Sequence, residues 1–149
     1  MRRTKTMVKR LEKRMFEYLS EHFDYTYSMT ENFAPLDGVL MRDNKIHRIV
    51  EVKVRWMSLE ELKERGSYLI SESKLQHGRA VSRAFHAPFF ILLYLVESDN
   101  IVSIKITRED GEFITPFTTE TTTTKKTMHG GSVERLNAFV SLHRLEVIR

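Results

Sequence analysis

From Phe89 to Val96 the chain runs through an unbroken apolar stretch of strand length. Such a segment has no face to offer water, so it belongs at the centre of a sheet with a layer packed on each side. The layers are written in helical periodicity. Met7, Val8, Leu11, Met15, Phe16, Tyr18, Leu19 and Phe23 recur at the spacing of one helix face, predicting a helix over 4–23 with Thr4 or Thr6 as its cap. A second helix is predicted over 72–86, ending before Pro88. These elements define an α/β fold with a central mixed sheet flanked by helices. At 149 residues the chain suits a single domain over 1–149.

The remaining strands follow from alternation and turn chemistry. Tyr25–Met29 and 35–41 suit strands, and Arg42-Asp43-Asn44-Lys45 reads as a turn that returns the chain through 46–56. On that return strand Ile49, Glu51, Lys53 and Arg55 share one face, and Val50, Val52, Val54 and Trp56 share the other. Ser58 with Glu61 resembles a capping box opening a short helix that Gly66 closes, and 67–70 is a brief strand. Val102, Ile104 and Ile106 alternate after the Ser98-Asp99-Asn100 turn, and 112–118 is expected to pair with them and extend the sheet at that edge. The threonine-rich stretch at 118–131 is either an exposed ribbon or a mobile segment, the latter being favoured. Leu136, Ala138, Val140 and Leu142 argue for a last strand, although a helix from Ser132 fits almost as well.

Composition removes several chemistries. With no cysteine there can be no disulfide, thiolate zinc site or cysteine nucleophile, so any metal must be held by oxygen or histidine. The six histidines form no zinc-binding spacing, and no phosphate-cradling glycine loop occurs. No apolar run reaches the length of a membrane span, so no membrane partner and a cytoplasmic location are expected. The net charge of +4 is concentrated near the start, in Arg2, Arg3, Lys5, Lys9, Arg10, Lys13 and Arg14. That run could attract a phosphate backbone or could be a solvated helix face.

The informative constellation is Pro35-Leu36-Asp37-Gly38, a hairpin, then Ile49-Val50-Glu51-Val52-Lys53. If the strands pair about Asp43-Asn44, Asp37 and Glu51 lie nearly opposite one another, close enough to share a hard divalent cation, with Lys53 on the same face. Two acids and a lysine on a sheet built to be buried are costly unless something compensates, and a bound cation would do so. Magnesium can activate water and neutralise charge in phosphodiester hydrolysis, while a lysine can orient or deprotonate the water or neutralise the phosphate. An exposed cross-strand Glu-Lys pair beside a turn aspartate is the plainer reading of the same residues.

These residues resemble the PD-(D/E)XK nuclease superfamily, over roughly Lys9 to Val96, and the order of elements is similar to archaeal Holliday-junction resolvases and small phage endonucleases. The resemblance implies a restriction-endonuclease-like core and Mg²⁺- or Mn²⁺-dependent cleavage of DNA. It implies Asp37, Glu51 and the Val52 carbonyl as metal ligands and Lys53 as the catalytic lysine. Glu12 would be a further metal ligand, matching the acid many members carry on the first helix, and it is the one acid inside that helix's apolar arc. Lys74 and Gln76, near the start of the second long helix, would contact phosphate, and Arg55 the DNA backbone. Resolvases imply a homodimer. Leu36 separates Pro35 from Asp37, a departure from the motif's adjacent pair. The rival readings are a catalytically silent DNA-binding or assembly subunit of the same fold, and a basic structural protein.

Overall fold

The computed structural model describes residues 4–29, 36–124, 131 and 133–149. Helix α1 (Lys5–Phe23) starts where the Thr4 hydroxyl accepts the Met7 N–H at 3.1 Å. Strands β1 (Thr26–Met29), β2 (Gly38–Arg42) and β3 (Lys45–Arg55) form an antiparallel meander. Asp43 and Asn44 make its tight turn with φ of 53° and 61°, the left-handed pair that suits a two-residue hairpin. Pro35, expected at the start of the second strand, lies outside the described residues.

Helix α2 (Leu59–Arg65) is capped by Ser58, which accepts from the Glu61 N–H at 3.1 Å, and closed by Gly66 at φ +76°. Strand β4 (Ser67–Ser71) leads into helix α3 (Glu72–Phe85), which returns the chain to β5 (Phe89–Leu95) beside β3. The β3–β5 pair is parallel, with Glu51 opposite Ile91 and Lys53 opposite Leu93. Strand β6 (Asn100–Lys105) is antiparallel to β5.

As its sequence requires, β5 is buried on both faces. Phe89, Ile91, Leu93 and Leu95 join a core with Ile49, Leu62, Ile70 and Leu75 on the α3 side. Phe90 and Leu92 join Leu40, Val50 and Val52 under Met15, Phe16 and Leu19 of α1. Burying a side chain of this size contributes about 1.5–3 kcal/mol, so two filled layers hold the sheet. Helix α3 lies so close that a Cβ on Gly78 would sit 2.3 Å from the Phe89 ring. Ser82, linked to Thr107 at 3.0 Å, ties the far end of α3 to the start of β5, whose Phe89 N–H donates to the same Thr107 hydroxyl.

Two expectations for the second half need correction. Residues 112–118 do not extend the sheet beside β6; they meet it and the residues after it through a bridge of Thr107 with Phe113, the Ile114 N–H to the Ile106 carbonyl, and the Thr115 hydroxyl to the Lys105 carbonyl. The edge of β6 is taken by β9 (Leu145–Val147), completing the order β1-β2-β3-β5-β6-β9. The threonine-rich residues through Thr124 are strand β7 (Phe117–Thr124), paired along its length with β8 (Val133–Ser141), which also pairs β4. Threonine's β-branched side chain fits that ladder without an apolar face, which is why alternation does not reveal it. Residues 125–130, also placed in the mobile segment, lie outside the described residues. The outcome is a second, three-stranded sheet, β4-β8-β7, whose Ala138 and Val140 join the α3-side core.

Candidate active site

The site forms where β2 parts from β3. Pairing between them ends at Gly38 opposite Val50, and the Asp37 carboxylate takes over the next donor, accepting the Val52 N–H at 2.7 Å. A bulge decides which way Asp37 faces. The hairpin opens with Arg42 opposite Lys45, but between Met41 and Leu40 the register shifts and His47 is left as the extra residue on β3. Without that insertion Asp37 would continue the ladder opposite Val50, on the α1 face. With it, Asp37 follows the Gly38–Val50 pair, and its carboxylate meets the Val52 N–H beside Glu51. Gly38 is required beside it, because a Cβ there would lie 2.7 Å from the Ser28 carbonyl and 3.0 Å from the Phe16 ring.

Glu51 is 0% exposed, and neither of its carboxylate oxygens has a hydrogen bond of good geometry among the described residues. Two ammonium groups approach it instead: Lys53 Nζ is 3.2 Å and Lys74 Nζ 3.3 Å from Oε1. Lys74 reaches it from α3, one helical turn before Gly78, so the close seating of α3 on Phe89 fixes that contact as well.

Electrostatics tie Glu12 to the same cluster. Burial raises the Glu51 carboxyl above the ordinary range, Asp37 raises it further, and Lys53 and Lys74 oppose the shift. Burial also raises Glu12, with Asp37 and Glu51 adding to it and Lys53 and Lys9 opposing. Desolvation works against the charge on Lys53, yet Glu51 and Asp37 outweigh it and hold the ammonium above its usual value.

Gln76 is exposed and donates to Glu72 at 2.8 Å. Arg55 is half-buried, with its guanidinium 5.6 Å from the Tyr68 ring centroid and bonded to the Val54 carbonyl. The structure thus gathers Asp37, Glu51, Lys53 and Lys74 and places Glu12 within their field, but it does not bring Gln76 to them. Tyr68 of β4 lies in the α3-side core, 4% exposed. Its hydroxyl, however, feels Arg55, Lys53 and Glu51 and makes no hydrogen bond of good geometry, so it borders the charged cluster. No periodicity distinguishes such a tyrosine from an ordinary core ring.

The donors present are carboxylate and carbonyl oxygens, the set a hard divalent cation takes. Among the described residues no three His, Asp or Glu side chains come close enough together to hold a metal ion. The fit rests on two carboxylates and on the Glu51 oxygens, buried and short of hydrogen bonds, beside an aspartate that repels them.

No helix among the described residues is long and apolar enough to cross a membrane. No curated protein and no solved structure matches the chain. A family model does: the family described as "Phage putative PDDEXK endonuclease" matches residues 6–135, from α1 through most of the second sheet. The chain therefore belongs to this phage PDDEXK endonuclease family, within the PD-(D/E)XK nuclease superfamily.

Proposed function

We propose that the protein is a metal-dependent endonuclease that hydrolyses DNA phosphodiester bonds at the Asp37, Glu51 and Lys53 cluster. The observation that carries this reading is the buried Glu51 carboxylate, faced by Asp37 and flanked by two ammonium groups on a strand otherwise packed with apolar residues. Burying a charge costs several kcal/mol unless it is compensated, and a fold does not need that expense to close this sheet.

Asp37, Glu51 and the main-chain carbonyl of Val52 would hold Mg²⁺ or Mn²⁺. The Val52 N–H points to Asp37, and in an extended strand the carbonyl of the same residue points to the same side, where β2 has already departed. Bound there, the cation supplies charge neutralisation on the reacting phosphate and an acidified water. Among the described residues Glu12 forms no three-carboxylate cluster with Asp37 and Glu51, so it is assigned to the cation through a water and not by direct contact.

Lys53, 3.2 Å from Glu51, is assigned to the phosphate and to the attacking water. Lys74 is a second donor from α3 and steadies Glu51 before substrate arrives. Arg55 and the exposed Gln76 are assigned to backbone phosphates beyond the cut.

Labelled linear duplex, single-stranded and four-way-junction DNA, each with and without Mg²⁺, tests the assignment and the resolvase-like preference together. Wild-type protein should cut only with the cation, and Lys53→Ala should lose roughly 10²–10⁴-fold in rate. Glu51→Ala should also stop cleavage while keeping DNA affinity, since one less carboxylate repels phosphate. Undiminished cutting by Lys53→Ala overturns the reading; binding without cleavage of any substrate selects the silent subunit.

A further inference from the structure

Helix α1 covers only part of its face of the sheet. Where β3, β5, β6 and β9 run past it, the same face opens into a groove of about 550 Å³ whose lining includes Arg48, Phe90, Ser103, Lys105, Arg144 and Glu146. We propose that this groove is a second phosphate-binding site, which grips the DNA backbone away from the bond that is cut.

The placement follows from register. Phe90 pairs with Lys105 and Ser103 with Glu146, so these side chains share the face of Val50 and Leu92, opposite to Glu51. Arg48 is three residues before Glu51 on β3, about 10 Å along the strand. The groove therefore lies on the other face of the sheet from the cluster and is not part of it.

Its cations outnumber its carboxylates, and none of them is ion-paired among the described residues. The Arg48 guanidinium lies 4.3 Å from the Phe90 ring centroid and 5.6 Å from that of Tyr25, and Lys105 Nζ is 6.0 Å from Phe90. Arg144 spends its Nε–H on the Ile114 carbonyl at 3.3 Å, leaving its terminal amino groups for a ligand. Among the described residues none of Arg48, Lys105 or Arg144 is ion-paired, and Glu146 is the one carboxylate in the lining. Ring-stacked guanidinium groups keep their N–H edges free and oriented, the geometry that suits phosphate oxygens. Two guanidinium groups and an ammonium against one carboxylate attract a polyanion and not a neutral or cationic ligand.

Taking that polyanion to be DNA rests on the nuclease reading, so the test measures binding without cleavage. Full-length protein in EDTA is titrated with a fluorescent duplex over a salt series, comparing wild type with the double variant Lys105→Gln, Arg144→Gln. Arg48 is left intact because its packing on Phe90 and Tyr25 belongs to the fold. Each phosphate contact adds about 0.9 to the slope of log affinity against log salt, so the double variant should lose roughly two from that slope and bind tens of fold more weakly. Unchanged slope and affinity overturn the proposal. Calorimetry with inorganic phosphate separates the sources: phosphate binding that the double variant abolishes, with duplex affinity unaltered, assigns the groove to a small phosphate and rejects the backbone. Weakened binding in a protein that never cuts DNA would retain the groove and sink the nuclease reading, whereas cleavage with an unaltered slope would do the reverse.

Discussion

Along β3, neighbouring residues meet opposite fates although they are equally buried. Val50 and Val52 point under α1 into an apolar layer with Met15, Phe16 and Leu92, whereas Glu51, between them, points under α3 beside two lysines and Asp37. Both faces exclude water, but only the first returns free energy for doing so. The α1 face holds the sheet together, and the α3 face spends part of that stability to keep a carboxylate where chemistry can use it.

The largest effect should come from breaking the apolar face. Leu92→Ala leaves a cavity beneath α1 and should cost about 2–5 kcal/mol in denaturant unfolding, with per-molecule cleavage retained while the protein stays folded. A loss of activity without a loss of stability would mean that the two faces are not separable. Next in size, Gly78→Ala drives a methyl into the Phe89 ring and should cost about 1–3 kcal/mol. It should also slow cleavage, because the shift of α3 withdraws Lys74 from Glu51; a variant with unchanged rate would show that Lys74 is not needed there.

On the charged face the expected change is smaller and depends on pH. Burial and Asp37 raise Glu51, and burial raises Glu12, so the folded protein binds these protons more tightly than the unfolded chain. Their contribution is complete below the ordinary carboxylate range and is lost as pH rises through the raised folded values. Metal-free protein should therefore lose melting temperature from pH 4 upward, over the range where these carboxyls ionise. Glu51→Gln should flatten that decline, and a curve that keeps its full slope would remove Glu51 as its source.

Much of this was legible in the residues. The apolar run at 89–96, the Asp43-Asn44 turn and the alternation around Glu51 locate the centre of the sheet and its charged strand without coordinates. The bulge at His47 was not legible, since one inserted residue leaves no mark on periodicity, yet it sets the register that leaves Asp37 beside Glu51. Lys74 and Gln76 differ by two positions, which is about 200° around a helix, so only one could reach Glu51, and packing of Gly78 on Phe89 selects Lys74. Strand β9 is three residues long, too short for any alternation, and β7 is defined by its partner β8 and not by its own threonines.

Titration of Mg²⁺ or Mn²⁺ into the metal-free chain, followed by melting temperature at pH 5 and pH 8, addresses the central claim that Asp37 and Glu51 form one cation site. Ligand binding to the folded state alone raises stability by mass action, and a cation competes with protons for these carboxylates. Wild-type protein should gain more at pH 8 than at pH 5, and Asp37→Asn should gain little at either. Equal stabilisation of the wild type and Asp37→Asn at pH 8, or none in the wild type, would contradict it.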